Sequence, residues 1–174
     1  MDDTKRILKK SVDDLLSANG FHKSGSWIWE RDFSWKKDVV VVHTRLPDAK
    51  EFLASIRILL PIPLQANDNE VCFYEKNVPS LLGKKSNYAK EPLFFGKENF
   101  IKNFCNDIEL AVKHFDFYKT PRECLGTLDK IKDPNAPIYK IIEQYLEKES
   151  RDQFIKSIEE KDRENRNKSL GHDF

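Results

Sequence analysis

Apolar positions along the chain fall into blocks of two periods. Ile7, Leu8, Val12, Leu15 and Leu16 recur at helical spacing and predict a helix over 2–19, with Asp2 and Asp3 at its positive end and Gly20 as its left-handed stop. Residues 26–35 alternate instead, with Trp27, Trp29, Arg31, Phe33 and Trp35 on one side of a predicted strand and Ser24–Gly25 turning into it. Four consecutive valines in 38–45 predict a second strand covered on both faces, with 35–38 as the hairpin connection. Residues 51–60 form a third strand and 71–74 a fourth candidate; the prolines of 61–69 mark a loop.

The period returns to that of a helix over 99–117, where Ile101, Phe104, Ile108, Val112 and Phe115 make a stripe widened by Phe100 and Ala111. Thr120, Pro121 and Glu123 are a helix-start signal: a cap, a first-turn proline and a side chain that reaches back. Pro137 opens another helix with Ile138, Ile141, Ile142, Tyr145 and Leu146 on one face, and Ser150 to Gln153 reads as one more capping box, starting a further helix. The order is helix, strands, helices. It predicts an α+β fold in which an antiparallel sheet of three or four strands carries about four C-terminal helices on one face. Residues 1–158 are expected to form one domain. Over 147–168 seven basic and seven acidic side chains balance, so 159–174 reads as a charged, solvated helix end or tail.

Composition narrows the function less than the fold. With 174 residues, 30 Lys+Arg and 29 Asp+Glu, the net charge of +1 excludes a basic nucleic-acid coat and an acidic solvating protein. No stretch reaches the roughly 18 apolar residues of a membrane span, and the charged opening decapeptide has no apolar signal core. Cys72, Cys105 and Cys124 are odd in number and widely spaced, which predicts free, mostly buried thiols and a cytoplasmic location.

The search for chemistry yields little. His22, His43, His114 and His172 lack the close histidine or cysteine partners of a metal site, and the six glycines form no phosphate cradle, so neither metal nor cofactor is expected. His43, set in the valine strand, reads as a satisfied core histidine; an enzyme using it with Cys72 or an acidic neighbour is a distant third reading. The aromatic strand is the best remaining feature. It could stack single-stranded bases, the alternative reading, but the neutral balance gives little electrostatic pull on a phosphate backbone. Tryptophan, tyrosine and arginine also anchor protein interfaces. The expected partner-binding residues are therefore Trp29, Arg31, Trp35 and Tyr88 with Lys84, Lys85, Lys90 and Lys97, drawn partly from a segment, 71–103, holding six lysines against three glutamates.

The stretch from Leu15 to Arg31, LLSANGFHKSGSWIWER, followed by the valine strand, resembles the opening of the bacterial domain-of-unknown-function family 4304. A first helix ending in Gly-Phe, a basic-Gly turn and an aromatic–basic strand carry the likeness. The run from Asp107 to Leu125, DIELAVKHFDFYKTPRECL, is similar to that family's helix, short link and second capped helix. The resemblance implies a small cytosolic bacterial α+β domain, similar in size to immunity proteins that neutralise delivered toxins, and brings no catalytic residues. The expected function is non-enzymatic binding of a cognate toxin domain whose surface is neutral or acidic, to complement the central lysines.

Overall fold

The computed structural model describes residues 3–44, 51–62, 70–84, 89–90, 96–131 and 136–170. The fold is α+β. Helix α1 (Asp3–Ala18) leads into strands β1 (His22–Gly25), β2 (Ile28–Asp32), β3 (Lys37–Thr44), β4 (Glu51–Leu60) and β5 (Val71–Asn77). A one-turn helix α2 (Val78–Leu81), a two-residue strand β6 (Ala89–Lys90) and helix α3 (Lys97–Val112) follow. A 3-10 segment (Lys113–Tyr118), α4 (Pro121–Ile131) and α5 (Pro137–Leu170) complete the chain. It divides into two compact units, Met1–Asp116 and Phe117–Phe174.

In the first unit the sheet is antiparallel in the order β1-β2-β3-β4-β5, with β6 pairing the start of β4. Five main strands replace the expected three or four. The addition is β1, four mostly exposed residues with an irregular register between Lys23 and Gly25, so no alternation of apolar groups announces it. The aromatic run also divides: Ser26 and Trp27 turn between β1 and β2, and the β2–β3 hairpin turns at Phe33–Lys36, where the Phe33 N–H donates to the Lys36 carbonyl at 2.9 Å. Of the loop expected over 61–69, residues from 63 onward lie outside the described residues.

Register assigns the two sheet faces. Trp29, Val40 and Ile56 are directly paired across β2, β3 and β4, as Arg31, Asp38 and Ile58 are, so all six share one face. That face is the core side. The α1 row Thr4, Leu8, Val12 and Leu16, four residues apart, is buried over it, while Ile7 turns out to solvent. Helix α3 buries Phe100, Ile101, Phe104, Ile108, Ala111 and Val112, and sets the Phe100 ring, tilted, and the Phe104 ring, edge-on, 5.7 and 6.1 Å from the Phe52 ring of β4. The opposite face carries Glu30, Val39, Arg57 and Glu75, with Arg57 Nε donating to Glu75 at 2.9 Å.

In the second unit the capping box at Thr120 is realised. The Thr120 N–H donates to Glu123 Oε2 at 2.8 Å, and the Glu123 N–H donates to Thr120 Oγ1 at 3.3 Å. Helix α4 packs on α5, burying Cys124 and Leu128 from one and Ile142 and Leu146 from the other. The second capping box, at Ser150, is not used. Helix α5 runs 34 residues without a break, because nothing between Ile138 and Leu170 is Gly or Pro and Glu, Lys, Gln and Arg propagate a helix well. Residues 159–170 are thus helical, and exposed through Arg166. Among the described residues, no helix is long and apolar enough to cross a membrane.

Candidate functional site

The most unusual chemistry lies at the turn of the β2–β3 hairpin, beside the end of α1. That helix stops in a Schellman motif: the Phe21 N–H donates to the Leu16 carbonyl at 3.0 Å and the Gly20 N–H to the Ser17 carbonyl at 3.1 Å. Gly20 sits at φ +80°, where a side chain would be strained, and a Cβ there would come to 3.6 Å from Arg31 Cδ. The motif leaves the Asn19 carbonyl open, and Arg31 Nη1 donates to it at 3.2 Å. The Gly-Phe pair of the resemblance therefore builds one wall of the site.

Asp38 is the anionic centre. It accepts from Arg31 Nη2 at 2.8 Å across the hairpin and from Lys36 Nζ at 2.7 Å. Its side chain is 0% exposed and that of Lys36 2%, whereas Arg31 keeps 26%. Two cations share one carboxylate away from water, an arrangement that Coulomb attraction sustains only with further compensation. Aromatic faces supply it. The Arg31 guanidinium lies 4.6, 5.4 and 5.8 Å from the Phe21, Phe33 and Phe115 rings, and Lys36 Nζ lies 4.9, 5.6 and 5.9 Å from Phe33, Trp35 and Phe115. Arg31 Nε is buried and makes no hydrogen bond to the described residues. Phe33, by contrast, is exposed at the turn.

The other expected contact residues divide sharply. Trp29 and Trp35 are 1% and 3% exposed, so neither offers a surface to a partner. Trp29 is pinned by its own fold: Nε1 donates to Asp13 Oδ1 at 2.7 Å, and Lys23, paired with the same carboxylate at 2.7 Å, caps the indole. Two of the four rings proposed to stack single-stranded bases are thereby withdrawn from the surface, while Trp27 is half-buried and Phe33 exposed. Lys84 is ion-paired with Asp107 of α3 and Lys97 is exposed at the first turn of that helix. Lys90 contributes its backbone to β6, opposite Glu51, and Lys85 and Tyr88 lie outside the described residues. The structure thus brings Arg31 and Trp35 to either side of the Lys36–Asp38 pair, whereas Lys84 is held on α3 by Asp107.

Sequence reasoning missed Lys36, Asp38, Phe21 and Phe115. One signal was present: folding the hairpin on its turn sets Asp38 opposite Arg31, and a lone acid at the head of a valine strand needs such a partner.

The reactive side chains stay apart. His43 is exposed rather than a core histidine, with Nε2 3.4 Å from Ser55 Oγ. Cys72 is level with Leu59 and Lys37, six residues along the ladder from His43, or about 20 Å. The three cysteines form no disulfide among the described residues; Cys72 is exposed and only Cys124 is fully buried. Burial pushes the Cys105 thiol up to about 11; Cys72, though exposed, loses part of its hydration to the surrounding protein and lies near Glu75, which raises it as well, so both resist forming the thiolate a nucleophile needs. Tyr74 and His114 stack, 3.1 Å between Oη and Nε2, and burial lowers the imidazole's affinity for a proton. Among the described residues, no three His, Cys, Asp or Glu side chains are grouped to hold a metal ion.

Compared with protein-family models, with characterised proteins and with solved structures, the chain matches none.

Proposed function

We propose that this chain is a non-enzymatic cytoplasmic binding protein of the immunity type, which neutralises a bacterial toxin domain by occupying it. The observation that carries the reading is the Phe33–Arg31 corner. An exposed ring and a partly exposed guanidinium 5.4 Å apart stand on a sealed cluster of Asp38, Lys36, Phe21 and Phe115. Aromatic and arginine anchors dominate interface energetics, and anchors already held rigid lose little entropy on docking. Of the three charges in the cluster only the Arg31 guanidinium reaches solvent, and a cation there complements the neutral or acidic surface expected of the toxin. The family resemblance, itself part of this proposal, points the same way.

The test is capture of a partner protein from nuclease-treated lysate of the source organism, with that partner identified by mass and then produced as an isolated domain. The expected result is a stoichiometric complex that survives nuclease treatment, protects cells expressing the toxin, and weakens roughly tenfold or more in Phe33→Ala. Thermal unfolding of that variant should show a folded chain that loses only the ring's contacts with Arg31 and Lys36, about 1–2 kcal/mol. A complex indifferent to Phe33→Ala and Arg31→Gln would remove the corner from the interface. Bound nucleic acid released steeply by salt, with no protein complex, would overturn the function itself.

A further inference from the structure

Helix α5 is far longer than its partner in the second unit. Its 34 residues extend about 50 Å, against about 16 Å for the 11 residues of α4. Ile142 and Leu146 are buried in the first half. Beyond them Phe154, Ile155 and Ile158 stand 66%, 52% and 44% exposed, gathered in a sector of about 100° on the opposite side of the helix. A helix seldom leaves three large apolar groups in water without a use for them.

Charge around this patch is ordered along the helix. Lys148, Arg151, Ile155, Ile158 and Asp162 are all exposed and are spaced three, four, three and four residues apart, which is the seam of a two-helix coiled coil. Cations occupy its N-terminal side and an acid its C-terminal side. We infer that a second copy of this chain docks here, its α5 antiparallel to the first about a two-fold axis between Lys156 and Ser157. That axis sets Ile155 against Ile158 of the second copy and Arg151 against Asp162 of the second copy, each contact made twice. A parallel copy would set Arg151 on Arg151 and Asp162 on Asp162, so charge selects the antiparallel arrangement. An adverse pair, Asp152 facing Glu159 of the second copy, falls on the flank, where salt screens it. The surface is distinct from the Phe33–Arg31 corner, and the inference stands whether or not that corner binds a toxin.

Sedimentation equilibrium of the full chain tests it. The expected result is a reversible dimer, weakened tenfold or more by Ile155→Asp and by either single swap, Arg151→Asp or Asp162→Arg, and restored when both swaps are combined in one chain. Circular dichroism confirms that each variant keeps its helix. A monomer at every concentration overturns the inference, as does a dimer untouched by Ile155→Asp. Failure of the double swap to restore binding overturns the antiparallel pairing. A monomeric parent whose toxin complex is lost in Ile155→Asp would assign the patch to the toxin instead.

Discussion

The hairpin corner and the outer half of α5 invert the usual partition in opposite senses. At the corner, three charged side chains lie against four aromatic rings, with Asp38 wholly removed from water. On α5, three large apolar side chains lie in water among charges. The first arrangement is closed: each charge has a partner inside the same unit, and the interactions are internal. The second is open, since neither α4 nor α5 itself covers the patch. Buried charge thus marks where the chain is bound to itself, and exposed hydrocarbon marks where it has contact left to give.

Substitutions can break the contrast. Asp38→Ala strands two cations in an apolar corner and should cost about 3–5 kcal/mol in urea unfolding. Lys36→Met should cost less, because the remaining Arg31–Asp38 pair is neutral as a unit; equal losses would show that the cluster does not act through its charge balance. On α5, truncating the packed face with Leu146→Ala should cost about 2–5 kcal/mol. Phe154→Ser on the outer face should change stability by about 0.5 kcal/mol or less in dilute protein. A large loss there would mean that the outer face is structural after all.

Two smaller effects sharpen the comparison. Thr120→Ala removes the reciprocal cap of α4 and should lower the second unit's stability by about 1 kcal/mol, read from its thermal transition. In the first unit, burial holds the His114 imidazole below its ordinary value of 6.5. The unfolded chain therefore takes up that proton first as the pH falls. The stability contribution of neutral His114 is fully present above pH 6.5 and is lost as the pH drops from there toward the lowered native value. Urea midpoints measured from pH 7.5 downward should fall less steeply in His114→Gln than in the parent.

What could be read from the sequence depended on whether the signal was local. The α1 and α3 stripes were legible because burial of one helix face is written at spacings of three and four. Identical cap patterns at Thr120 and Ser150 had different fates. Pro121 enforces a start after Thr120, whereas Ser150 follows Glu147, Lys148 and Glu149 with no breaker, and a cap needs a non-helical backbone that nothing there imposes. Alternation marked the aromatic strand but not which side faced in; Asp13, sixteen residues away on α1, decides that by accepting from Trp29. The candidate site was half legible. Arg31 stood out, but Lys36, Phe21 and Phe115 join it only through the turn, the helix stop and the 3-10 segment, three features that tertiary structure alone brings together.

The Arg31–Asp38 pair also bears on how reliably the molecule assembles. Four valines in succession give β3 no landmark, and a hairpin slipped by two residues would still bury hydrocarbon on both faces. Such a slip would set Arg31 opposite Val40 or Lys36, and Asp38 opposite Phe33 or Trp29, leaving unmatched charge in the core. The ion pair acts as a proofreading mark, raising the energy of the misaligned hairpins that a run of identical side chains would otherwise tolerate.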